Sequence, residues 1–89
     1  MNVTFFMEQH IGDEFKGQVT GVTSFGLFVE LNKSRVSGLV HITSLPNDYY
    51  HFDPVVHRLT GERTGKVFQL AQKVTVKVMA VNVDDRKID

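Results

Sequence analysis

The 89-residue sequence has no cysteine, which excludes a disulfide framework and any thiolate zinc site and suits a reducing compartment. No apolar run approaches the roughly 18–20 residues that a membrane-spanning helix needs. Charge of one sign is also missing, since ten Lys plus Arg offset ten Asp plus Glu. A protein that gripped duplex DNA chiefly through phosphates would be visibly basic. Any nucleic-acid binding must therefore rest on local clustering of charge and on stacking, which points to single strands. Residues 1–10 lack the basic region and apolar stretch of a secretory signal. A soluble, cytoplasmic protein with no membrane partner is expected.

What is present is an ordinary globular composition, 42% hydrophobic and 22% charged, so the chain is expected to fold rather than stay disordered. The length allows one core and one domain. Val3, Phe6, Met7 and Ile11 are spaced three or four apart, which predicts a short N-terminal helix with Asn2 as its cap. Residues 1–11 are read as the tail of an upstream helix or linker, and residues 12–89 as the domain.

From Glu14 the period becomes two. Phe15, Gly17, Val19 and Gly21 alternate with polar residues, and Val22 breaks the parity, which predicts a bulge beside Gly21. A turn at residues 24–26 leads to a strand with Leu27, Val29 and Leu31 inward and Phe28 and Glu30 outward. A third strand is expected with Val36, Gly38, Val40 and Ile42 inward, and with Ser37, Leu39 and His41 on the outer parity. A single helical turn follows at residues 43–45. Val74, Val76 and Val78 alternate with Lys73, Thr75 and Lys77 in a fourth strand, and residues 86–89 begin a fifth after the Asp84-Asp85 turn. Residues 46–70 are inserted between the third and fourth strands as a hairpin or small three-stranded meander. The fold class is all-β, a five-stranded antiparallel barrel of the oligonucleotide-binding (OB) kind, with the insertion and the short N-terminal helix added.

Phe28 is the most informative position, because burying the aliphatic trio beside it turns this ring outward. A satellite cluster, or packing under the insert, would explain a lone outward Phe. Phe25 at the adjacent turn and His41 on the neighbouring strand make a platform for unpaired bases the sharper reading. Lys73, Thr75 and Lys77 line one strand face, and Arg86 and Lys87 follow the double-aspartate turn. Such charges usually only solvate a face; beside a stacking platform they become phosphate contacts, which Lys16, Arg63 and Lys66 could extend. His10, His41, His51 and His57 match no metal-ligand spacing, and neither a metal nor another cofactor is expected in this chain. No nucleophile–base motif or phosphate-binding glycine loop is present, so the chain alone is not expected to be an enzyme.

The runs GQVTGVTSFGLFV at 17–29 and GLVHITSL at 38–45, with the strand leading to Asp84, resemble the S1 RNA-binding domain. The likeness extends over nearly the whole chain from Gly12. It implies an RNA face formed by Phe25, Phe28, His41, Asp84 and a basic residue before the closing strand. The final turn is about one residue shorter than in many members, so Arg86 and Lys87 both stay candidates for that basic position. The aromatic run NDYYHFD at 47–53, RLTGE at 58–62 and DRKID at 85–89 resemble more narrowly the ribonuclease R family of bacterial exoribonucleases, which degrade RNA hydrolytically from the 3′ end. That resemblance implies single-stranded RNA and a catalytic domain of the same polypeptide as partners, with magnesium held in that other domain. The isolated module is expected to be monomeric. A protein-interaction barrel docking through Tyr49, Tyr50 and Phe52, or an S1 domain of a translation-associated protein, are the rival readings.

Overall fold

The computed structural model describes residues 12–79 in full and the backbone course of residues 2–6. Strands β1 (Asn2–Phe6), β2 (Glu14–Thr23), β3 (Gly26–Leu31), β4 (Ser37–His41) and β8 (Lys73–Met79) form one sheet in the order β1–β8–β2–β3–β4. Strands β5 (Tyr50–Asp53), β6 (Arg58–Gly61) and β7 (Val67–Gln69) form a second, three-stranded meander inserted between β4 and β8. All pairings are antiparallel except β1 with β8. The chain is thus all-β, with a mostly antiparallel sheet curled into a half-barrel; β1 approaches β4 across the opening.

Period-two burial builds the core. Leu27, Val29 and Leu31 of β3, Val74, Val76 and Val78 of β8, and Val19, Val22 and Val40 are all buried. Leu59 of β6 and Phe68 of β7 belong to the same cluster, so the insert is a lid on the barrel core and not a separate unit. The ladder between β2 and β3 shifts register between Val19 and Gly21. This is the bulge that the broken parity predicts; β2 pairs with β8 from Glu14 to Gln18 and with β3 from Gly17 to Thr23. Gly26 is required by close approach, since a Cβ there would overlap the Val40 carbonyl oxygen.

Four expectations need correction or placement. The N-terminal helix is not formed over residues 2–6, which make a strand instead. A five-residue apolar segment carries little helical stability of its own, and the free edge of β8 offers it hydrogen bonds in a register that pairs Val3 with Val76 and Phe5 with Val78. Met7 and Ile11, the rest of that pattern, lie outside the described residues. Val36 is not inward: it precedes β4 in the loop and is 44% exposed. The closing strand at residues 86–89 lies outside the described residues. The helical turn is present, one residue earlier than expected, as a 3-10 turn at Ile42–Ser44.

Candidate nucleic-acid interface

The β2–β3 turn is held by its own side chains. The Phe25 amide donates to Thr23 Oγ1 at 3.1 Å, and that hydroxyl donates to the Gly26 carbonyl at 3.1 Å. The Ile42 amide then donates to the Phe25 carbonyl at 2.8 Å, pinning the turn against the end of β4. His41 lies directly opposite Gly26 in the β3–β4 ladder. The bonded turn and this register bring Phe25 and His41 to the same end of the sheet.

Phe28 stands outward from β3 between Gly21 of β2 and Leu39 of β4. Gly21 leaves the ring room; a Cβ there would come within 3.2 Å of Phe28 Cδ2. Phe25 and Phe28 are 48% and 40% exposed. Their ring centroids are 6.5 Å apart at 86°, an edge-to-face arrangement within the usual range for such pairs. Each ring supports its neighbour and keeps a face toward solvent.

His41 is oriented as well as exposed. Its Nδ1 accepts from the Thr43 amide at 3.3 Å and lies 3.0 Å from Thr43 Oγ1, capping the 3-10 turn. An Nδ1 that accepts from a backbone amide leaves the proton of the neutral ring on Nε2. The free edge of His41 is therefore a hydrogen-bond donor. Thr43, which sets this tautomer, is a contributor that sequence reasoning did not single out, and Gly21, read there as the place of a bulge, is also the floor beside Phe28. The ladder register identifies Gly21, and the S/T-type spacing to His41 is the only signal for Thr43.

The lysines divide. Lys73 sits opposite Gln18, whose outer-face neighbour is Glu30, and so borders the row next to Phe28. Lys77 lies four residues further along β8, about 13 Å at ordinary strand rise, and faces Glu14. Arg63 donates to the Asn47 carbonyl at 2.6 Å within the insert, and Lys66 lies in the β6–β7 connection. Asp84, Arg86 and Lys87 lie outside the described residues.

The aromatic run of the insert is mostly not a surface. Tyr50 and Phe52 pack against the shared core. The Tyr50 ring lies edge-on to Phe68 at 5.9 Å, and its hydroxyl donates to the Pro46 carbonyl at 2.5 Å. Burial, and then the nearby Asp48 carboxylate, push the Tyr50 phenol up. Of the three rings proposed for protein docking, Tyr49 alone is exposed, at 67%. It stands edge-on to His51, which pairs with Glu62 at 2.8 Å. Asp48 ties the insert together by accepting from the amides of Tyr49, Arg63 and Thr64 and from the Thr64 hydroxyl. Those bonds, the Thr64 hydroxyl foremost, hold its carboxyl well below the usual carboxylate range. Among the described residues no group of three or more His, Asp or Glu could hold a metal ion.

A barrel face that presents two mutually braced rings beside an oriented imidazole has relatives. The model of the S1 RNA binding domain family matches residues 8–89. The chain belongs to the S1 RNA-binding domain family. It is 54% identical over 84 residues to ribonuclease R of Vibrio cholerae and 51% identical over the same length to ribonuclease R of Escherichia coli, in each case across 94% of this chain and 10% of that protein. A solved structure of Mycoplasma genitalium RNase R, in complex with ribose-methylated single-stranded RNA, superposes with a TM-score of 0.75 at 30% identity, over 81% of this chain and 11% of that one. The chain thus spans about a tenth of the length of these relatives.

Proposed function

We propose that the chain is the RNA-binding module of a ribonuclease R-like hydrolytic 3′-to-5′ exoribonuclease, gripping single-stranded RNA by base stacking and phosphate contacts. The observation that carries this reading is the exposed Phe25–Phe28 pair, 6.5 Å between centroids, at the end of the sheet where His41 is fixed by Thr43. Unpaired bases stack on the two rings, the Nε2–H of His41 donates to a base edge or phosphate, and Lys73 approaches the backbone. Asp84 and one of Arg86 and Lys87 complete the face.

In the parent enzyme the module follows a preceding domain, and Asn2–Phe6 belong to its sheet through their pairing with β8. Catalysis and its magnesium reside in a separate domain of the same polypeptide, and this chain is not itself catalytic. The module is monomeric and works in the cytoplasm, holding RNA near the entry of the catalytic channel. The ribonuclease R relatives at 51–54% identity favour this parent over a translation-associated one.

The test is titration of the labelled chain with oligouridylate at two salt concentrations. With each stacked base worth about 1–3 kcal/mol, Phe28→Ala weakens binding by about 5- to 150-fold. Zero net charge predicts weak binding with a shallow salt dependence, and a slope that implied many neutralised phosphates would contradict the stacking mechanism.

A further inference from the structure

One concave part of the outer sheet face is not used by the stacking platform. A groove of about 260 Å³ is lined by Lys16, Asn32, Lys73 and Thr75, with Gly17 and Val74 as its floor. Through Lys16 and Asn32 it runs into a second depression of about 580 Å³ whose rim carries Lys33 and Ser34. The loop that forms this rim is held in place. Asn32 donates its amide to the Lys16 carbonyl at 2.9 Å, Leu31 donates to Val36 at 2.8 Å, and Arg35, at φ 64°, donates back to Leu31 at 3.0 Å.

Lys16 and Lys73 thus line one groove, and Lys33 lines the depression that shares Lys16 and Asn32 with it, in a chain with no net charge. Among the described residues no ion pair engages Lys16, Lys33 or Lys73. The carboxylate between platform and groove, Glu30, is engaged by Arg35 at 3.5 Å. Glu14, on the far rim, faces Lys77. A basic cluster of this kind favours a polyanion, and its position names which one. Lys16 and Gln18 share the outward parity of β2, and Gln18 sits between Lys73 and Glu30 in the row next to Phe28. From Gly21, opposite Phe28, to Lys16 is five residues of strand, roughly 15 Å. A strand of the roughly 4–16 nucleotides that one OB fold covers is long enough to span that distance.

We infer that Lys16, Asn32 and Lys33, together with Lys73, form a phosphate subsite that takes the RNA backbone after it leaves the stacking platform. The lysines supply point charges to successive phosphates, and the Asn32 side-chain amide supplies a donor between them. This rests on the reading of Phe25, Phe28 and His41 as the base-stacking platform. It also gives the module two separable kinds of grip, one insensitive to salt and one sensitive.

The test compares the 89-residue chain with Lys16→Gln/Lys33→Gln and with Phe28→Ala, using oligouridylates of about two and about twelve nucleotides, the first too short to reach from platform to groove and the second long enough to cover both. The double variant is expected to bind the long oligomer about 5- to 25-fold more weakly near 0.1 M salt. Its slope of log affinity against log salt is expected to be shallower by about 1.4, or 0.7 for each phosphate lost. Its binding of the short oligomer and its thermal midpoint should be unchanged, and Lys16→Arg/Lys33→Arg should restore both affinity and slope. An unchanged slope with the long oligomer, while Phe28→Ala weakens both oligomers, overturns the subsite and leaves the platform standing. If Phe28→Ala affects neither oligomer and the double variant still weakens the long one, the platform fails and the groove stands alone as an RNA site. An oligoglutamate peptide that binds as tightly as the long RNA, and loses affinity equally in the double variant, overturns the RNA assignment in favour of an acidic protein partner.

Discussion

Two aromatic clusters of similar composition meet opposite fates in this domain. Phe25 and Phe28 lie on the outer face of the large sheet, braced against each other and open to solvent. Tyr50 and Phe52 lie on the inner face of the insert, packed toward Phe68 and the shared core. The difference is not hydrophobicity but what each strand's other face has available to bury. In β3, Leu27, Val29 and Leu31 fill the inward positions and force Phe28 out. In β5 the alternating partners are His51 and Asp53, so Tyr50 and Phe52 are the residues drawn in. An aromatic becomes a ligand surface where aliphatic neighbours have already taken the core.

The largest effect expected from this contrast is on stability. Phe68→Ala removes a fully buried ring on which both the insert and the barrel pack, and should destabilise the domain by about 3–5 kcal/mol in denaturant unfolding. Phe28→Ala should do the reverse, leaving the unfolding midpoint nearly unchanged while RNA affinity falls by the factor given above. If Phe28→Ala unfolded the domain as Phe68→Ala does, the distinction between the clusters would be lost. Tyr50→Phe removes the hydroxyl bonded to Pro46 and should lower stability by about 0.5–1.5 kcal/mol, with oligouridylate binding unaffected.

Asp48 provides a subtler test of the insert. Its carboxyl is held below the ordinary range by hydrogen bonds to the ionised form. A lowered folded-state value means the stabilisation is complete above the unfolded value, about 3.9, and is lost only as pH falls below it toward the folded value. Asp48→Asn should therefore speed hydrogen exchange at the Arg63 and Thr64 amides near neutral pH, and acidification of the unaltered chain should do the same only below about pH 4. A response centred well above that range would take the effect away from Asp48. Smallest of all, Lys77→Gln should change RNA affinity by less than about twofold, because Lys77 faces Glu14 away from the platform.

Much of this arrangement was legible in the residues, and the places where it was not have physical causes. Clean alternation fixed β3 and β8, and the parity break at Val22 located the bulge to within a residue. The outward placement of Phe28 and His41 followed from the same alternation, and that of Phe25 from its position in the turn. The N-terminal segment misled because five apolar-rich residues fit a helix face and an edge strand equally well; the vacant edge of β8 decides between them. The burial of Tyr50 and Phe52 was hidden for a related reason. Their inner face is defined by Leu59 and Phe68, which come from strands later in the chain. Lys73 and Lys77 looked equivalent on one strand face, and only the identity of their partners on β2 separates them. The tautomer of His41 depends on a bonded turn that follows it, which composition and periodicity do not report.

The most direct measurement is the pattern of backbone amide shifts when single-stranded RNA is added to the chain. Base stacking on the sheet face predicts that the largest changes fall on the β2–β3 turn, on Phe28, and on His41 and Thr43, with residues 50–61 of the insert nearly still. Changes concentrated in β5 and β6 instead, with Phe25 and Phe28 unmoved, would contradict it.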